Sequence, residues 1–183
     1  MTAVAALDRL PERARGILAA RVDWALISES PLVGTPSTQL IDFDEFSRFA
    51  KSAWGQLGRS EPLQVTLVET LRPSLQQTEF DGVAGTARWM LPPAWAAARF
   101  TGDLAGWTGA VPYIDVKLDG LFKVVALHEI AHLLVDTHEV LHGHGICWLD
   151  AFDGALRKVL GEAVADMRLG AHYQLLELLN EDD

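Results

Sequence analysis

The sequence predicts an α+β fold, with a small mixed or antiparallel sheet packed on a buried helix and further helices at both ends. Three observations predict it. The 14-residue run Phe122 to Val135 is apolar except at Lys123, His128, Glu129 and His132, a pattern that suits a buried helix. Three short strand-like runs lie between positions 63 and 118. Segments with apolar residues at helical spacing stand on either side of them.

Taken in order, residues 11–28 (PERARGILAARVDWALIS) have helical spacing, with Pro11 acceptable in a first turn. A loop of Pro, Gly, Ser and Thr follows. Residues 42–58 (DFDEFSRFAKSAWGQLG) open with Asp42 and Glu45 at capping-box spacing and predict a second helix. LQVTLVETL at 63–71 is rich in β-branched residues and predicts a strand. In residues 79–91 the Asp81-Gly82 turn signal precedes a second strand-like run, and PPAWAAARF at 92–100 reads as a short helix. GAVPYIDVKL at 109–118 is the third strand, with Asp119 placed to cap the histidine-bearing helix. Two more helices follow, ICWLDAFDGALRKVL (146–160) and EAVADMRLGAHYQLLELL (162–179), with a break near Gly161. The expected organisation is one domain over 1–183: a helical part at 1–60, a sheet region at 61–118 and metal-binding helices at 119–183.

Composition narrows the function classes. Cys147 is the single cysteine, so no intrachain disulfide can form, which fits a reducing compartment. No basic leader precedes an apolar core at the N-terminus, and no apolar run has membrane-spanning length, so a cytoplasmic protein without a membrane partner is expected. The formal net charge is −10, and Lys and Arg are scattered, with no basic run longer than Arg157-Lys158. Such a surface repels phosphate backbones, so direct nucleic-acid binding is not expected.

Five of the six histidines fall between positions 128 and 144. His128-Glu129-Ile130-Ala131-His132 is an H-E-x-x-H. On a helix, residues four apart share a face, so both imidazoles can reach one ion. Glu129 stands about 100° round from His128. That is the place for a general base taking a proton from metal-bound water. Three ionisable groups on a buried arc are costly alone, and a divalent cation removes that cost.

Catalytic zinc takes three protein ligands and keeps a position for water. His138 follows His132 by six residues, as in metzincins, but Val135 stands where that pattern needs glycine. Glu162, with Asp166 four later, has the look of a glutamate ligand and is the runner-up. His142 and His144 lie in HGHGICW, where Gly143 and Gly145 free the backbone. His144 opens an apolar-periodic helix, and Trp148 one turn on can wall the pocket, so His144 is the preferred third ligand. His138 and His142 are read as loop histidines, and Cys147 as core filler.

LHEIAH followed by HGICW resembles the SprT-like group of minimal zincins. The chain is more similar still to an uncharacterised family of metallohydrolases from actinobacteria and their phages. That family has a W-x-L-R-E-x-x-x-L-H-E-x-A-H helix, an H-G-P-x-F segment and a tail with a Leu-Arg pair and an aromatic. LFKVVALHEIAH, HGICW and MRLGAHY occur here in that order, and the likeness covers about the last two-thirds of the chain. The chain departs from the pattern at Ile146-Cys147, at Lys123 in place of arginine, and in a longer stretch from Trp95 to Thr108. The resemblance implies a minimal zincin fold, a Zn2+ ion on His128, His132 and His144, Glu129 as the catalytic residue, and a protein or peptide substrate.

The expected function is therefore that of a zinc metallopeptidase. The alternative is an interaction protein whose zinc is structural, closed by the three histidines and Cys147. Tyr113, Tyr173, His142 and Arg168 are candidates for stabilising an oxyanion, and Asp136 or Asp150 for orienting a ligand histidine. In zincins an edge strand holds the extended peptide; YIDVKL and TARWML are the two candidates here.

Overall fold

The computed structural model describes residues 14–15, 39–69, 85–90, 107, 109–135 and 144–167. In chain order these form α1 (Phe43–Gln56), β1 (Gln64–Leu67), β2 (Gly85–Met90), β3 (Val111–Val116), a 3-10 turn at Leu118–Gly120, α2 (Lys123–Leu134) and α3 (Ile146–Val159). Residues 162–167 are again helical. The α+β class is as expected, and the sheet is mixed. The Asp81-Gly82 turn, the helix expected over 92–100 and the chain beyond 167 lie outside the described residues. So does the expected helix over 11–28, apart from Ala14 and Arg15, which are helical.

Asp42 caps α1, its carboxylate accepting the Glu45 N–H at 2.7 Å. Phe46, Ala50, Ala53 and Trp54 recur on one side of the helix and are all buried. The Trp54 indole donates to the Glu61 carbonyl at 2.8 Å, tying α1 to the chain that leads into β1. Gly58 ends the helix at φ +87°, a left-handed conformation that costs a residue with a Cβ about 1–2 kcal/mol.

The strand order is β1-β3-β2, with β3 parallel to β1 and antiparallel to β2. YIDVKL thus overlaps the central strand, while TARWML overlaps β2, an edge among the described residues. The register aligns Val65, Ile114 and Ala87 in one row and Leu67, Val116 and Gly85 in another. These rows alternate with Gln64-Tyr113-Arg88 and Thr66-Asp115-Thr86. Because strand side chains alternate, the first pair of rows faces the helices and the second faces away. Ile114 and Val116 are fully buried, as the helix-facing side requires. On the opposite side Arg88 pairs with Asp115 at 2.9 Å and lies over the Tyr113 ring.

α2 does not start where the sequence suggested. Asp119 sits in the exposed turn after β3, and Phe122 is the N-cap, with no side-chain bond. The turn spends Leu118–Gly120 on redirecting the chain, so Asp119 falls too far ahead to reach the helix's first N–H groups. Lys123 instead meets Glu45 of α1 at 3.0 Å. Inside α2, Val124, Val125, Ala126, Leu127, Ile130, Ala131 and Leu133 are buried against α1, α3 and the sheet. Full burial of one such leucine or valine contributes about 1.5–3 kcal/mol. This apolar wrapping fixes the helix, and therefore its histidines, in one orientation.

Candidate metal centre

His128 and His132 are one helical turn apart on α2 and share a face. That face looks at α3, whose buried residues Trp148, Leu149, Phe152, Ala155 and Leu156 form a stripe at helical spacing. His144 directly precedes Gly145, the N-cap of α3, so the packing of α3 on α2 carries its imidazole to the other two. Gly145 has φ −74°, a value open to any residue, so left-handed freedom is not what it supplies. The His144 Nε2 lies 3.1 Å from His128 Nε2 and 3.2 Å from His132 Nε2. Two nitrogens held tetrahedrally at about 2.0–2.1 Å from one ion stand roughly 3.3 Å apart.

Each neutral imidazole nitrogen offers either one N–H or one lone pair, so His144 Nε2 cannot make a full hydrogen bond to both neighbours at once. A cation among them resolves the conflict, so the residues present fit a metal ion. Among the described residues, His128, His132 and His144 are the ones whose ligand atoms converge as a group, all within 4.8 Å of one another. Burial of its ring, followed by the charges His144 and His128 would carry, holds the His132 pKa well below that of free imidazole. The neutral form that metal ligation requires is thus the favoured one at His132.

Trp148 forms the floor of the cluster. Its ring centroid lies 4.6 Å from that of His144, 4.8 Å from His128 and 5.5 Å from His132. Phe152 backs both Trp148 and His128. The tryptophan is 1% exposed, so the underside of the cluster is dry. Expected from its spacing to His144, Trp148 in fact lies against all three imidazoles.

The neighbouring face of α2 turns to the sheet instead. Glu129, 4% exposed, runs against β2 at Gly85, and the Leu133 carbonyl accepts a hydrogen bond from the Trp89 indole at 3.1 Å. Glu129 and Leu133 are themselves one turn apart. The helix thus gives one stripe to the imidazoles and α3, and the next to the carboxylate and β2. A carboxylate so placed is beside the cluster without belonging to the converging group.

The rival ligands are placed elsewhere. Arg157 holds Glu162, Asp166 at 2.8 Å and Asp153 at 2.8 Å. This clamp joins α3 to residues 162–167 across Gly161, whose φ of +96° explains the break in helical pattern. Glu162 is committed to it, and it raises the Arg157 pKa, chiefly through the bond to Asp153. Cys147 is exposed and outside the converging group, not the core filler expected. His138 and His142 lie outside the described residues, as do Asp136, Arg168 and Tyr173. Tyr113 is on the sheet face turned away from α2, where it donates to Thr66 Oγ1 at 2.7 Å; burial raises its pKa. Asp150 is exposed on α3, with no hydrogen bond to a ligand histidine among the described residues.

Gly85, Trp89 and the Arg157 clamp were not anticipated. Gly85 carried one signal, a glycine opening a strand, which marks close backbone approach. Comparison with protein-family models, curated proteins and solved structures finds no match.

Proposed function

We propose that the protein is a zinc-dependent hydrolase, a metallopeptidase of the SprT-like minimal zincin kind. The observation that carries this reading is the pairing of a three-imidazole cluster with a buried carboxylate on the adjacent stripe of one helix. His128, His132 and His144 would hold the ion; three neutral nitrogens suit zinc and leave a coordination position unfilled by protein. Bound there, zinc supplies Lewis acidity, lowering the pKa of water towards about 7 and polarising a substrate carbonyl.

The chain's own residues do the rest. Glu129 accepts a proton from the attacking water and returns it to the leaving amine nitrogen. Its burial against β2 limits competing hydration of the carboxylate. Trp148 keeps the underside of the cluster dry, which strengthens electrostatic interactions within it. Among the described residues β2 pairs on one side only, with β3. The reading takes its other side as the place where an extended peptide adds as a further strand. The structural-zinc alternative is not favoured, because Cys147 stands outside the converging group.

The test is cleavage of unfolded polypeptide by the zinc-loaded chain, compared with Glu129→Gln prepared in parallel. The expected result is cleavage by wild type, and at least about 100-fold less by the variant at equal zinc content. Equal rates in the two, or none in either, would contradict the proposal.

A further inference from the structure

We infer that Gly85 is the positioning residue for Glu129, and that its missing side chain forms the slot in which the carboxylate lies. The inference rests on the hydrolase reading for its consequence in catalysis, but on geometry alone for the slot. Gly85 aligns with Val116 in a row that faces α2. A Cβ at that position would stand 2.9 Å from Glu129 Oε1 and 3.1 Å from both its Cδ and its Cγ.

Three consecutive atoms of one side chain are met at once. Turning the carboxylate about its last bond clears Oε1 and leaves the contacts to Cγ and Cδ. The side chain must therefore give by a few tenths of an ångström, and Glu129, being 4% exposed, has little space in which to do so. β2 cannot retreat readily either, because its Trp89 indole is bonded to Leu133 on the same stripe of α2. The strand is thus anchored four residues beyond Gly85, to the helix that carries Glu129. β2 then has two duties on the hydrolase reading. One side of it receives the peptide, while its face at Gly85 sets where the proton acceptor stands.

A double-substitution cycle in the full chain tests the slot, with Gly85→Ala, Glu129→Ala and both together, at one saturating zinc concentration. Replacing a strand glycine by alanine has a propensity effect of its own, common to both backgrounds, which the cycle removes. The inference expects Gly85→Ala to raise the unfolding equilibrium constant about tenfold or more when Glu129 is present. When Glu129→Ala has emptied the slot, the same change is expected to be neutral or stabilising. A coupling within about twofold of unity overturns the slot. If Gly85→Ala alone does not fold, a folded double variant supports the inference and an unfolded one overturns it.

The second readout separates positioning from packing. Gly85→Ala, where it folds, is expected to lower kcat at least about tenfold with KM and zinc content within about twofold of wild type. Strong coupling with an unchanged kcat overturns the positioning role. Strong coupling with a wild type that cleaves nothing supports the slot and sinks the hydrolase reading instead.

Discussion

His132 and His144, twelve residues apart in sequence, have their Nε2 atoms 3.2 Å apart in space. That contact comes from the packing of two helices and not from any local motif. Its integrity therefore reports on the fold and on the candidate metal centre together.

The floor of the cluster can be probed at Trp148. Trp148→Phe keeps an aromatic ring but shortens its reach across three imidazoles. The expected outcome is a metal affinity lowered about 10–100-fold, comparable with losing a group that orients a ligand. Competition against a zinc-binding dye measures it. Trp148→Ala would add a cavity costing about 3–5 kcal/mol, read by urea unfolding.

The pH dependence of the metal-free chain follows from His132. Its folded pKa lies below the ordinary value of 6.5. Above that ordinary value neither folded nor unfolded His132 is protonated, so it adds no slope. As pH falls through 6.5, the unfolded state takes a proton that the folded state refuses, and stability is lost, until the lowered folded pKa is reached. The slope is at most about 1.4 kcal/mol per pH unit from this residue. Urea unfolding in chelator between pH 7 and pH 5 measures it, and His132→Gln should remove that part of the slope.

On the other face of the sheet, Arg88→Ala would remove the cation paired with Asp115, which is 4% exposed. The Arg88 side chain is itself 42% exposed, so the pair is not a fully buried one. The expected loss is about 1–3 kcal/mol, below that of a fully buried pair, with zinc content unchanged. Chemical unfolding and elemental analysis of one preparation check both halves.

Arg157→Ala should leave the histidine cluster intact while loosening residues 162–167, which Ala165 still ties to the core. Hydrogen exchange would become faster in that segment and in the last turn of α3, with no change at Leu127 or Ile130.

These residues also show what could be read from sequence. The start of α1 was legible because the Asp42 carboxylate caps the Glu45 N–H locally, within one turn, whereas the Glu45 carboxylate itself reaches Lys123. That His144 joins His128 and His132 was legible because Trp148, one turn beyond His144, marked the face that packs on α2. Asp119 misled because the chain uses a 3-10 turn between β3 and α2, and residue pattern does not reveal how many positions a turn consumes. The order of the strands was hidden, so YIDVKL and TARWML looked equivalent until β3 took the centre. The Gly85 slot and the reach of Arg157 to Asp166 depend on contacts between separate elements, which local pattern encodes only faintly, as a glycine opening a strand.

The most direct test of the centre is metal per chain, measured by elemental analysis on wild type, His144→Ala and Glu162→Ala purified in parallel after zinc is supplied. The account predicts about one zinc per chain in wild type and in Glu162→Ala, and loss of most of it in His144→Ala. Loss from Glu162→Ala with retention by His144→Ala, or a wild type that takes up no zinc, would contradict it.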